Sequence, residues 1–136
     1  MIVFINGSCN AYGRNSNVLG GALIVQLSLI NFNDCNFMDN SGYSSKIISD
    51  GRGGSIFIRE TNGTFTNCIF YNNSLASYGS SSKSYGGAIM TMKSNITFDN
   101  CNFSENNVKS DELHNAIGAA IRSDSSNIIC IDTNFS

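Results

Sequence analysis

An all-β parallel β-helix of about four coils, with one 33-residue repeat to a coil, is the fold this sequence predicts. Three observations carry it. Gly20-Gly21-Ala22-Leu23 recurs as Gly53-Gly54-Ser55-Ile56 and Gly86-Gly87-Ala88-Ile89 at steps of 33 residues, and Gly118-Ala119-Ala120-Ile121 follows after 32. A second motif keeps the same step: Phe32-Asn33-Asp34-Cys35-Asn36-Phe37, Phe65-Thr66-Asn67-Cys68-Ile69-Phe70 and Phe98-Asp99-Asn100-Cys101-Asn102-Phe103, with a degenerate copy from Cys130 to Phe135. Within each copy apolar and polar residues alternate, as in Ile30, Phe32, Cys35 and Phe37 around Asn31 and Asn36, which marks a half-buried strand.

Composition agrees. Of 136 residues, 20 are Asn, 21 Ser and 13 Gly, with no Pro or Trp, a vocabulary of strands and turns. A repeat of this length also suits ankyrin arrays, but no Thr-Pro-Leu-His run and no helical stripe is present. Eight Lys and Arg against ten acids make no basic face, so nucleic acid is not an expected partner. No apolar run reaches the roughly 18 residues of a membrane helix. Met1 to Phe4 meets Asn6-Gly7-Ser8 at once and is not read as a signal peptide.

The repeats divide the chain into a partial coil at residues 1–19, then 20–52, 53–85, 86–117 and a truncated 118–136, so a fragment of a longer chain is expected. Each coil is read as three short strands. In the first full unit these run from Ala22 to about Leu27, from about Leu29 to Asn33, and from Cys35 to Met38. Leu23 and Val25, with Ile58, suit the inner face of the first strand, whereas Thr91 and Ser123 weaken that pattern later. Asp34, Asn67, Asn100 and Asp132 interrupt the alternation where a corner is needed. The remaining Ser-, Gly- and Tyr-rich stretch, such as Ser74 to Tyr85, reads as a loop leaving the coil. Coils stacked about 4.8 Å apart pile like residues into ladders. Those expected are Phe37, Phe70, Phe103 and Phe135; Cys35, Cys68 and Cys101; and Asn40, Asn73 and Asn106.

The Gly-Gly-Ala-Leu/Ile copies pair with Phe37-Met38-Asp39-Asn40, Phe70-Tyr71-Asn72-Asn73 and Phe103-Ser104-Glu105-Asn106. That pairing resembles the GGA(I/L/V) and FxxN repeats of the polymorphic outer membrane protein family. These are surface proteins of chlamydiae, with similar repeats in adhesin-like proteins of some archaea and parasitic protists. The resemblance implies a right-handed β-helix, extracellular or at the cell surface (outer-membrane-associated in a bacterium), that adheres to a host-cell or matrix protein or glycan. In the bacterial family it is the passenger of an autotransporter. No barrel or export sequence is expected within these 136 residues themselves.

Candidate chemistry is sparse, and no catalytic, cofactor or metal residue is assigned. The cysteine column reads as small buried thiols, although its spacing also allows one disulfide with a third thiol left over. The corner columns Asp34-Asn67-Asn100-Asp132 and Asp39-Asn72-Glu105 alternate acids with amides and read as hydrogen-bonded turn ladders. A polysaccharide-cleaving or polysaccharide-binding pectin lyase-like protein, with a carboxylate pair for cleavage, is the competing reading and rests on fold analogy. His114, beside Asp111 and Glu112, is read as a loop histidine. Six Asn-x-Ser/Thr sequons, at Asn6, Asn62, Asn72, Asn95, Asn102 and Asn134, would be glycan acceptors in a secreted eukaryotic protein. Tyr43, Tyr78 and Tyr85 are the candidate ligand-contact residues, expected on loops. The open coil ends favour pairing with adjoining coils or self-association.

Overall fold

In the computed structural model, which describes residues 2–45, 47–111 and 115–136, the chain winds into a parallel β-solenoid. Its strands form five parallel sheets that run along the axis. Sheet 1 stacks Leu23–Gln26, Ile56–Arg59, Ile89–Met92 and Ile121–Asp124. Sheet 2 stacks Leu29–Asn33, Asn62–Thr66, Asn95–Asp99 and Asn127–Ile131. Sheet 3 stacks Ile2–Ile5, Cys35–Met38, Ile69–Tyr71, Asn102–Ser104 and Asn134–Phe135. Sheet 4 holds Ser8–Ala11, Ser41–Ser45, Ser74–Tyr78 and Asn107–Ser110, and sheet 5 holds Asn15–Leu19, Ile48–Arg52, Ser81–Tyr85 and Asn115–Ile117. The register is the sequence repeat itself: Ile56 pairs with Leu23 and Ile89, and Phe70 with Phe37 and Phe103.

The core lies between sheets 1, 2 and 3. One column of rings stacks from Phe4 through Phe37, Phe70 and Phe103 to Phe135, with centroids 4.7, 4.9, 4.4 and 5.0 Å apart and planes within 10°. A second column, Phe32, Phe65 and Phe98, stacks at 5.1 Å and meets the first edge-on. Each such aromatic pair adds about 0.5–1.5 kcal/mol beyond its buried area. Ile56, Ile58, Ile89 and Ile96 fill the remaining wall, and Thr91 takes the place of Ile58 one coil on.

The corners between sheets 1 and 2 and between sheets 2 and 3 follow one rule. A residue at positive φ turns the chain, and the next residue bears a side chain that hydrogen-bonds back across the turn. At the corner between sheets 2 and 3 the turning residues are Asp34, Asn67, Asn100 and Asp132, at φ 45–54°. Cys35, Cys68, Cys101 and Thr133 follow them, and each donates to the carbonyl two residues back, the thiols at 3.3–3.4 Å. Between sheets 1 and 2 the turning residues are Leu27, Glu60, Lys93 and Ser125, followed by Ser28, Thr61, Ser94 and Ser126, whose hydroxyls make the same bond at 2.8–2.9 Å. The hydroxyls of Ser94 and Ser126 also accept the backbone N–H of Thr61 and Ser94 one coil away. These side chains satisfy backbone groups that the corner removes from the sheets.

The stretch expected as a loop is two further strands. Ser74–Tyr78 and Ser81–Tyr85 carry strictly alternating burial, with Leu75, Ser77, Ser82 and Ser84 inward. Sheets 4 and 5 face each other so closely that mainly small side chains fit between them. Hydroxyls stitch the two walls: Ser16, Ser49 and Ser84 of sheet 5 donate to the carbonyls of Ser45, Tyr78 and Lys109 in sheet 4. Leu75 occupies the room left by Gly42 and Gly51 on the neighbouring coil, where a Cβ would come within 2.8 Å of its Cδ1. Each coil therefore has five strands rather than three.

Candidate functional site

The asparagine column is the most deeply built polar feature. Asn40 and Asn73 are fully buried at the corner between sheets 3 and 4, after the turning residues Asp39 and Asn72. The Oδ1 of Asn73 accepts both the Asn40 backbone N–H at 3.1 Å and the Asn40 Nδ2 at 3.0 Å. The Oδ1 of Asn106 does the same for Asn73, at 3.0 Å each. Every Nδ2 also donates to the carbonyl of a core phenylalanine one coil away, from Asn40 to Phe4, Asn73 to Phe37 and Asn106 to Phe70. This column closes coils on one another.

Cys35, Cys68 and Cys101 are buried free thiols, and Cys68 and Cys101 also donate across coils to the carbonyls of Phe32 and Phe65. They are thus hydrogen-bonding corner posts as well as small apolar fillers. Hydrogen bonding with the Cys101 thiol, then burial, pushes the Cys68 thiol above its ordinary value, and burial pushes Cys35 the same way.

The acidic corner columns form amide ladders on the surface. Asn67 donates to Asp34 at 3.1 Å, Asn100 to Asn67 at 2.8 Å, and Asn72 to Asp39 at 2.7 Å. Another exposed ladder runs Asn127 to Asn95 to Asn62 at 2.8 Å, so the sequon residues Asn62 and Asn95 are tied into the stack. The Asp111 carboxylate accepts the Gly79 N–H, while Glu112 and His114 lie outside the described residues.

The candidate contact tyrosines stand on strands, not loops, because the serine-rich stretch pairs in register. Tyr43 lies within Ser41–Ser45, Tyr78 ends Ser74–Tyr78 and Tyr85 ends Ser81–Tyr85. Two of them join a rank that sequence reading missed. Tyr12, Tyr43 and Tyr78 step across three coils on the outer wall of sheet 4, with ring centroids 5.8 and 5.9 Å apart and planes tilted by 47° and 45°. Tyr12 is 66% exposed and Tyr78 36%, so the rank presents ring area to solvent.

Tyr85 belongs elsewhere. It faces a cleft of about 180 Å³ along the seam between sheets 5 and 1, lined by Arg52, Tyr85, Met90, Met92, Arg122 and Asp124. The Arg122 guanidinium lies over the Tyr85 ring, 5.8 Å from its centroid. Arg52 and Tyr85 are register partners in sheet 5, as are Met90 and Arg122 in sheet 1. Counting by 33 places Arg52 against Tyr85, but only the facing of the two sheets brings Arg122 to them.

No family model, curated protein or solved structure matches this chain.

Proposed function

We propose that this chain is a non-enzymatic rod, extracellular or at the cell surface, with an adhesive or structural display role. The reading rests on the resemblance of its Gly-Gly-Ala and Phe-x-x-Asn repeats to surface β-helices. One structural observation supports it most: the tyrosine rank of Tyr12, Tyr43 and Tyr78 on the outer wall. Tyrosine rings held on strands, as Tyr43 and Tyr78 are, or directly after one, as Tyr12 is, offer large amphipathic contact area at small entropic cost, which is what recognition of a protein or glycan exploits. A stiff stack presents many such weak contacts together, and avidity multiplies them.

Fractionation of native cells tests the location. An immunoblot with an antibody to the folded chain is expected to find it in the surface or shed fraction, and a purely cytosolic signal refutes the reading. Retention of the purified chain on host-cell layers and matrix-coated plates tests the contact face. The double substitution Tyr43→Ser and Tyr78→Ser is expected to lower retention at least several-fold, and unchanged retention removes the rank from the proposal.

A further inference from the structure

The cleft between sheets 5 and 1 does not follow from stacking alone. Phe57 and Met90 lie on the face of sheet 1 opposite the core residues Ile56, Ile58 and Ile89, yet they are only 2% and 3% exposed. Tyr85 and Arg52 share the cleft with Met90, and Arg122 closes it from the next coil. The lining therefore holds two guanidiniums, one on either side of the Tyr85–Met90 coil, against the single carboxylate of Asp124.

The Arg122 guanidinium is under-used. The Nε of Arg122 is buried without a hydrogen-bond partner, and among the described residues Arg122 makes no ion pair. A guanidinium carries five donors, and a buried donor left unpaired is destabilising unless a ligand satisfies it. Arg52 reaches Asp50 only at 3.7 Å. Asp124 accepts from Ser125 at 3.1 Å. Planar guanidiniums flanking an aromatic ring are suited to gripping a carboxylate through paired N–H bonds.

We propose that this cleft binds the carboxylate side chain of an acidic protein segment. Arg, Tyr and Met, which make up most of the lining, are the residue types enriched at protein–protein interface centres. Its volume is well below the roughly 300–1,000 Å³ of sites that enclose a drug-sized ligand, and fits one inserted side chain. This inference stands independently of the display role, since it uses neither the tyrosine rank nor the location of the chain.

The test titrates the full ¹⁵N-labelled chain with the peptide Ac-Gly-Glu-Glu-Gly-NH₂ and follows the arginine Nε–H resonances. A saturable shift of the Arg122 resonance is expected, with none from the Gln-for-Glu peptide. Arg122→Met extends the column of Phe57 and Met90 and so keeps the coil packed. It is expected to weaken binding roughly tenfold or more, read on the backbone amide of Tyr85. Arg52→Gln, checked for fold by circular dichroism, gives a second reading should Arg122→Met unfold. An Arg122 resonance unmoved at millimolar peptide, or an equal response to the Gln peptide, overturns the proposal. Tighter binding of a glucuronate trisaccharide than of the peptide overturns the acidic-segment assignment and gives the cleft to a sugar acid.

Discussion

Replacing Asn73 by Ala isolates what the buried amide column contributes. The substitution strips the Asn40 backbone N–H of its acceptor at 3.1 Å and removes the donor to the Phe37 carbonyl at 2.9 Å. It also cuts the amide chain on both sides, since Asn40 Nδ2 loses Asn73 and Asn73 no longer reaches Asn106. An orphaned buried N–H costs about 1–3 kcal/mol, and each lost side-chain bond nets about 1 kcal/mol. The expected loss is about 4–6 kcal/mol, a large share of a domain's ordinary 5–15 kcal/mol. Asn95→Ala is the control. Asn95 makes the same coil-to-coil amide bonds, but in solvent, where their loss costs about 0.5 kcal/mol or less. Urea denaturation followed by circular dichroism compares the two. If the two variants fall within about 1 kcal/mol of each other, burial does not set the worth of the ladder and the reasoning fails.

Three other outcomes follow from the same geometry. At Gly54 a Cβ would overlap the carbonyl oxygens of Gly87 and Ser74, both backbone atoms that cannot step aside, so Gly54→Ala is expected to cost more than about 4 kcal/mol or prevent folding, judged by soluble yield and melting. Thr91 buries its hydroxyl without a partner beneath Ile58; Thr91→Val keeps the shape, removes the orphan, and is expected to gain about 1 kcal/mol in the same urea assay. The Cys35 thiol, raised by burial, stays protonated in the fold while the unfolded chain ionises near 9.0, so its contribution is complete below that pH and is lost as the pH rises past it. The urea midpoint is therefore expected to fall between about pH 8 and 10, and to fall less in Cys35→Ala.

Counting by 33 was enough to align the phenylalanine, cysteine and asparagine columns, because each is a repeated residue at a repeated step. It missed sheets 4 and 5 for a physical reason. Their inner faces are Ser44, Ser49, Ser77, Ser82 and Ser84 with Gly42 and Gly51, and a narrow interior selects small polar residues that look like loop composition. The corner at Leu27, Glu60 and Lys93 was hidden because no Asx or Gly marks its positive φ. The readable signal lay one residue later, in Ser28, Thr61, Ser94 and Ser126, the side chains that bridge the turn. The cleft joins Arg52 to Arg122 across facing sheets, which no linear step relates.

The constant register has a kinetic consequence. Laying down a new coil means closing a loop of about the same 33 residues each time, with an entropic cost of about 3 kcal/mol from loop length that does not grow as the stack lengthens. Elongation is then templated by the last coil formed, and the slow event is the first closure, which has no edge to dock on. Under tension the order reverses. Peeling one coil frees a fixed contour of roughly 110 Å, so the chain yields in equal quanta, holding a steady load where a globular domain gives way at once.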